Sequence, residues 1–440
     1  MAQSNDTQSA KIVGEWFENM PFTGTHWKCC ITLFIAFIIE AWEMMILIFS
    51  SGAIAAEFNL SGAQVGSLIS ALFLGMIPGA LLWGRLMGKI GRKKCMMFSI
   101  GVYGIFPILS AIAPSYEFLW AVRFLCGVVL SGALVTTFPY FEELVPVKSR
   151  GRATVFLSSG WPFGVLIALG LTALLGEHGW RLTLGVSVIA SLWTLVIWKV
   201  LPESPYWLAQ IGRTKDAAAS LNQLAEGKMG DVTVLDNLET NSSTTSFTQL
   251  FQGKLLKVTG LQLLINFCFS WGYWGMATWM PGLLAKRGLS TPEGLGFIAL
   301  STLFMFPGYI AASYITARIG RKKTMLIFVF VSAIAGFGFA YSQTLNQMYL
   351  WNFVLSFFSL GAWGVWNTWL GEIYTTSARG HGQAWGVSAQ RVANAVAPIV
   401  IGAMMVRTSF NGTVAFITCF LAITFVAAIF LRETEGEILS

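Results

Sequence analysis

Apolar runs of about 20 residues, the length that carries a helix across a bilayer, recur along the whole chain and are separated by short polar breaks. Their period is that of continuous buried helices rather than of alternating strands. The runs predict twelve membrane-spanning helices near residues 29–50, 64–84, 95–112, 117–138, 153–175, 181–200, 258–282, 293–316, 323–341, 347–369, 382–406 and 411–431. Pro162 and several glycines interrupt the fifth, which is the least regular. The fold class that follows is an all-α membrane protein of twelve helices in two six-helix, pseudo-symmetric halves.

One long polar interval, residues 202–257, divides the pattern. It predicts an N-terminal segment over 1–27, a first half over 28–201, a linker over 202–257, a second half over 258–431 and a tail over 432–440. Gly227-Lys228-Met229-Gly230 and Asn241-Ser242-Ser243-Thr244-Thr245 read as linker. Phe247 to Leu256 reads as an amphipathic stretch along the membrane surface. The halves repeat at an offset of 229 residues. Met76-Ile77-Pro78-Gly79 returns as Met305-Phe306-Pro307-Gly308, and Lys89 to Lys94 returns as Arg318 to Lys323. Glu143 returns as Glu372, and Arg150-Gly151 as Arg379-Gly380. One register held across several motifs is a repeat, not a chance likeness of basic loops.

Composition agrees: 55% of the residues are hydrophobic, 11% are charged, and mean hydropathy is +0.65. The net charge of +7 is concentrated in a few short breaks. Arg85, Lys89, Arg92, Lys93 and Lys94 follow the second helix; Lys148, Arg150 and Arg152 follow the fourth; Arg318, Arg321, Lys322 and Lys323 follow the eighth. By the positive-inside rule these breaks, and both termini, are cytoplasmic. The charge therefore reads as topology and not as nucleic-acid binding. The first 27 residues lack the pattern of a cleaved signal peptide, so the first span is expected to act as a signal anchor. The six cysteines form no Cys-x-x-Cys and predict neither disulfides nor a metal site. No nucleotide loop or nucleophile–base motif is present, so no cofactor and no enzyme activity are expected.

Within the spans, charge is scarce: Glu40 and Glu43 in the first helix, Arg123 in the fourth and Arg391 in the eleventh. Such residues are costly in a membrane and mark relays or ligand sites. The histidines, 26, 178 and 381, fall outside the expected hydrocarbon region. Carboxylates are then the proton-carrying candidates. With a rise of ~1.5 Å per residue, Glu43 lies past the midplane at a height compatible with Arg123. Glu40 and Arg391 lie nearer the centre. This predicts two pairings, Glu43 with Arg123 and Glu40 with Arg391 or with a bound substrate. Two static bridges holding helices together are the plainer alternative.

Several motifs resemble the major facilitator superfamily. Its loop signature appears as Gly84-Arg85-Leu86-Met87-Gly88-Lys89-Ile90-Gly91-Arg92-Lys93, with Gly88 where the family has Asp. Its Arg-x-x-x-Gly appears as Arg123 to Gly127, and its Pro-x3-Glu-x6-Arg-Gly-Arg as Pro139, Glu143, Arg150, Gly151 and Arg152. The sixth helix ends in Pro202-Glu203-Ser204. Within the superfamily the chain resembles the branch of niacin and aromatic-acid:proton symporters and of synaptic vesicle glycoprotein 2. Glu40-Ala41-Trp42-Glu43 stands where those transporters often carry Asp-x-x-Asp, and Tyr273 to Pro281 is similar to their seventh helix. The seventh helix lacks the paired glutamines of sugar porters, which argues against a hexose.

The resemblance implies proton-coupled transport of a small organic anion, an aromatic or other monocarboxylate such as a niacin-like acid, by alternating access. It implies a monomer in a plasma membrane (the inner membrane of a bacterium), whose partners are substrate, protons and lipid. The expected coupling residues are Glu43, Glu40 and Arg123. The expected substrate site comprises Arg391, Tyr273, Trp274, Trp161, Trp366, Gln390 and Asn394. Arg391 offers a planar fork suited to a carboxylate. The branch also implies a cytoplasmic gate of Arg92, Glu143, Arg150 and Glu203 with their counterparts Arg321, Glu372, Arg379 and Glu433. An organic-cation or neutral-solute carrier, or a transporter-like receptor or scaffold, are the alternatives.

Overall fold

The structure is a computed structural model that describes residues 13–230, 232, 250–374 and 376–434, without the side chains of residues 151, 152, 155, 254, 371 and 376–381. Twelve helices among the described residues are long and apolar enough to cross a membrane. Spans 1 to 6 are Gly24–Phe58, Gly62–Ile90, Arg92–Ala111, Tyr116–Leu144, Phe156–His178 and Trp180–Val200. Spans 7 to 12 are Leu255–Lys286, Thr291–Ile319, Arg321–Ala340, Leu345–Leu370, Gly382–Arg407 and Phe410–Ile429. The expected twelve-helix, two-half architecture is the one observed.

The packing repeats as the sequence does. In the first half span 1 lies on span 5, span 2 on span 4 and span 3 on span 6; in the second, span 7 lies on 11, span 8 on 10 and span 9 on 12. The halves meet mainly where span 2 packs on span 11 and span 5 on span 8. With no water to satisfy the backbone, each span closes its own hydrogen bonds. Buried hydroxyls such as Thr137, Thr172, Thr278 and Ser301 donate to the carbonyl four residues earlier. That is how polar side chains are kept inside apolar helices.

The ends differ from the hydropathy estimate for local reasons. Span 1 has 35 residues, not about 22, because Thr23 caps it in a capping box with His26 and Asn59 closes it in the left-handed region. His26 is thereby fully buried. The basic break after span 2 is not a loop. Helix runs through it to Ile90 and restarts at Arg92, and Gly91 at φ 94° is the whole connection. Gly320 at φ 93° does the same between spans 8 and 9. Only glycine takes that backbone region without strain.

The described part of the insert is partly helical, with helices Pro205–Gln210 and Thr214–Ala225. Phe17, on a short helix Val13–Asn19, stacks on Tyr206 at 5.3 Å. Thr23 Oγ1 donates to the Leu224 carbonyl at 2.7 Å. Glu226 then accepts from the amide and hydroxyl of Thr25 at 2.6 and 2.8 Å. A carboxylate on the first turn of span 1 complements the helix dipole. The stretch from Phe247 to Gln249 and the Asn241–Thr245 run lie outside the described residues.

Candidate functional site

Glu43 and Arg123 are brought together deep in the first half. Each is about 1% exposed. Arg123 Nη1 holds Glu43 Oε1 in an ion pair, and its Nη2 reaches the Glu43 carbonyl at 3.4 Å. Two further groups complete the cluster. Tyr103 of span 3 donates its hydroxyl to Glu43 Oε2 at 2.5 Å, and the Cys126 thiol lies 3.8 Å from Oε1. One carboxylate thus binds spans 1, 3 and 4.

Glu40 sits one turn earlier on span 1 and is also 1% exposed, yet neither carboxylate oxygen has a hydrogen-bond partner among the described residues. Arg391 of span 11 faces it from the other half without forming an ion pair. The guanidinium instead places Nη1 on the Met76 sulfur of span 2 at 3.8 Å, and its Nε has no partner among the described residues. Among the described residues Glu40 and the Arg391 Nε are therefore both unsatisfied, whereas Glu43 and Arg123 are paired and only the Arg123 Nε lacks a partner.

Aromatic side chains wall this interface. Trp161 Nε1 of span 5 donates to the Tyr273 hydroxyl of span 7 at 2.8 Å, a hydrogen bond that joins the halves. Trp274 packs edge-on against Trp161 and Phe73, with ring centroids at 5.5 and 4.9 Å. Asn394, in the amide orientation that satisfies both ends, accepts from Trp274 Nε1 at 3.3 Å and donates to the Gln390 carbonyl at 3.0 Å. Trp161, Tyr273, Trp274 and Asn394 thus form one connected cluster, and Arg391 lies three residues before Asn394 on span 11. Gln390 and Trp366 lead elsewhere. Both donate to the Asn266 side-chain oxygen, at 2.6 and 2.9 Å, and Trp366 is fully buried against Trp369. They tie spans 7, 10 and 11 together within the second half.

The expected gate residues lie at the opposite end from the turn joining spans 1 and 2, and the ion pairs Arg92–Glu143 and Arg321–Glu372 each lie within one half. Arg92 pairs with Glu143 at 2.8 Å, and Arg321 with Glu372 at 3.0 Å. Glu203 accepts from the amides of Arg92 and Lys93 at 2.9 and 3.1 Å. Glu433 accepts from the Arg321 amide at 3.0 Å and the Lys322 amide at 3.3 Å. Each carboxylate caps the helix that restarts after Gly91 or Gly320, from more than 100 residues away. Arg150 departs from the acid-pairing pattern. Its Nε donates to the Glu142 carbonyl and its Nη2 to the Tyr206 hydroxyl. The side chain of Arg379 lies outside the described residues.

At the other end the seam between the halves is closed backbone to backbone. Gly62 and Gly66 of span 2 lie against Gly402 and Pro398 of span 11, with no room for a Cβ at either span 2 glycine.

Tyr103, Cys126 and Met76 were not expected at the site. A tyrosine in mid-span was a signal for the first. A cysteine or methionine in an apolar helix carries none.

Known proteins share this organisation. The profile of the Major Facilitator Superfamily matches residues 33–369 and 297–439. The niacin transporter NiaP of Acinetobacter baylyi is 31% identical over 96% of this chain and 97% of its own length. The cis,cis-muconate transport protein of the same organism is 26% identical over 94% and 97%. A synaptic vesicle 2-related protein of Rattus norvegicus is 24% identical over 99% and 83%. The inward-open structure of the xylose transporter XylE from E. coli superposes with a TM-score of 0.75 at 18% identity, covering 94% of this chain and 98% of that one. With two packed six-helix repeats and a family profile spanning both, this chain belongs to the Major Facilitator Superfamily and is a multi-pass secondary transporter, not an enzyme.

Proposed function

We propose that the protein carries a small organic anion, an aromatic or other monocarboxylate such as a niacin-like acid, together with protons. The observation that carries this reading is Arg391, a guanidinium at the interface of the halves whose Nε is unpartnered among the described residues. A buried cation is costly unless paired. A carboxylate ligand would supply the pair and a bidentate geometry. The aromatic wall of Trp161, Tyr273 and Trp274 suits an unsaturated ring beside that carboxylate. Relatives named for niacin and for muconate transport support an organic acid.

Coupling is assigned to the two carboxylates of span 1. Glu43, held by Arg123, takes and gives up a proton, and Glu40 responds to the substrate charge on Arg391. Protonation of Glu43 frees Arg123, the halves rock about the central site, and the site changes sides. Twelve crossings put both termini on one face. The basic residues around Arg92 and Arg321 make that face cytoplasmic, in a plasma membrane, with the protein acting as a monomer. Arg92–Glu143 and Arg321–Glu372 hold the cytoplasmic ends of the halves in the shape the gate requires, with Glu203, Glu433, Arg150 and Arg379 around them.

The test is uptake into proteoliposomes of radiolabelled nicotinate, benzoate, muconate and a set of organic amines, with and without an inward pH gradient. Accumulation of a carboxylate that requires the gradient is expected. Uptake of amines alone would replace this reading by a cation carrier with Glu40 as counter-charge.

A further inference from the structure

A second chamber, lined in part by Tyr273, lies between spans 1, 5, 7, 8, 10 and 12, with a cavity volume of about 80 Å³. Its chemistry differs from that of the Arg391 site. No charged side chain lines it. Most of the wall is apolar and includes Met45, Phe49, Met276, Met280 and Met305. Thioethers are adaptable walls and make favourable contacts with ring edges.

The polar groups lie mainly on facing stretches of spans 8 and 10; the Thr302 hydroxyl is spent on the Ile298 carbonyl, and the Tyr273 hydroxyl accepts from Trp161 Nε1. Asn352, Ser356 and Ser359 follow one another at i, i+4 and i+7 on span 10 and so share one helix face. Ser301 of span 8 stands opposite. Its hydroxyl donates to the Phe297 carbonyl and accepts from Asn352 Nδ2 at 2.6 Å. That contact fixes the Asn352 amide and leaves its oxygen as an acceptor. Ser359 is spent on Ser332 at 3.3 Å. The Ser356 hydroxyl has no hydrogen-bond partner among the described residues. This face of span 10 therefore offers one oriented acceptor and one free hydroxyl, facing a wall of methionine and phenylalanine.

We propose that this chamber is a second small-molecule site, specific for an uncharged ring compound that carries one hydrogen-bonding group, such as an aryl amide or aryl alcohol. The Asn352 oxygen accepts from the ligand's N–H or O–H, the Ser356 hydroxyl donates to its oxygen, and the ring lies on Met276 and Met280. A carboxylate is rejected, because an anion entering a chamber with no cation loses its hydration without compensation. The site goes beyond the anion-transport reading and does not depend on it.

The test is equilibrium binding to the purified full-length protein in nanodiscs, with benzamide and benzoate as paired probes of one shape and different charge. Benzamide is expected to bind saturably to the wild type and to Arg391→Gln alike. Ser356→Val, which removes the hydroxyl at nearly constant volume, and Met276→Trp, which fills the chamber, should each weaken benzamide at least tenfold. Both should leave benzoate binding within twofold, which also shows that they fold. Absence of saturable benzamide binding, its loss in Arg391→Gln, or unchanged binding in both chamber variants would overturn the proposal. Failure of benzoate to bind any form, with benzamide behaving as expected, would count against the anion reading alone.

Discussion

The Tyr103 hydroxyl donates to Glu43 Oε2 at 2.5 Å while Arg123 occupies the other oxygen. Glu43 is thus held from two helices at once, and each hold can be removed separately. Tyr103→Phe deletes one hydrogen bond to a charged acceptor, a contribution of about 1.5–3 kcal/mol. Within the proposed coupling role, pH-gradient-driven accumulation should fall about tenfold or more, and exchange of labelled for unlabelled substrate at equal pH should persist. Glu43→Gln should abolish the gradient-driven component outright. If Glu43→Gln still accumulates substrate against its gradient, the coupling assignment is wrong.

Arg391 has a different task and should give a different pattern. Lysine keeps the charge and loses the planar fork. Arg391→Lys should therefore raise the KM for a carboxylate substrate at least tenfold, with expression and folding intact. Arg391→Gln should remove saturable anion uptake. Unchanged affinity in the lysine variant would mean that the guanidinium does not touch the substrate.

Where sequence reasoning met its limit is visible in these residues. Counting the rise along each helix set Glu43 and Arg123 at compatible heights, and they are in contact. Gln390 and Trp366 are expected in the substrate site with Arg391, yet both face Asn266 inside the second half. Depth follows from position in the run. The face a residue presents follows from helix rotation and crossing angle, which hydropathy does not record. The two-half fold was legible because it is written twice, at one offset. The Glu203 and Glu433 caps were not, since each serves a helix start more than 100 residues back in the chain. Tyr103 is likewise not singled out by the sequence, because its hydroxyl matters only through the neighbour that span packing brings to it.

The seam between spans 2 and 11 leads to a prediction about conformation. Gly66 lies against the Pro398 carbonyl and Gly402 against the Gly62 carbonyl. A bulky side chain at either place must separate the helices at that end. Gly66→Trp and Gly402→Trp should express, lose net transport, and open that end of the interface. Cysteines introduced beside the seam should then react with a membrane-impermeant thiol reagent added from the side of the span 1–2 turn, several-fold faster than in the wild-type background. Normal transport in both tryptophan variants would show that this seam does not need to close.

The docking of the insert on span 1 should depend on pH, and the sign follows from Glu226. The hydroxyl and then the amide of Thr25 donate to its carboxylate and hold it below the usual glutamate range. A group lowered on docking favours the docked form wherever the free carboxyl would already be ionised, above its ordinary pKa of about 4.3. That contribution is lost as pH falls through the lowered value. Glu226 lies at the surface, so the effect is also screened by salt. Limited proteolysis between residues 227 and 250 should accelerate as pH drops from 6 to about 3.5, using an acid-tolerant protease normalised against an unfolded substrate. Glu226→Gln keeps an acceptor and loses the charge, so its cleavage should already be faster at pH 6 and change little with acid. Thr25→Val removes one donor and should move the wild-type transition to higher pH. Identical acid profiles for the wild type and Glu226→Gln would mean that some other group holds the insert against span 1.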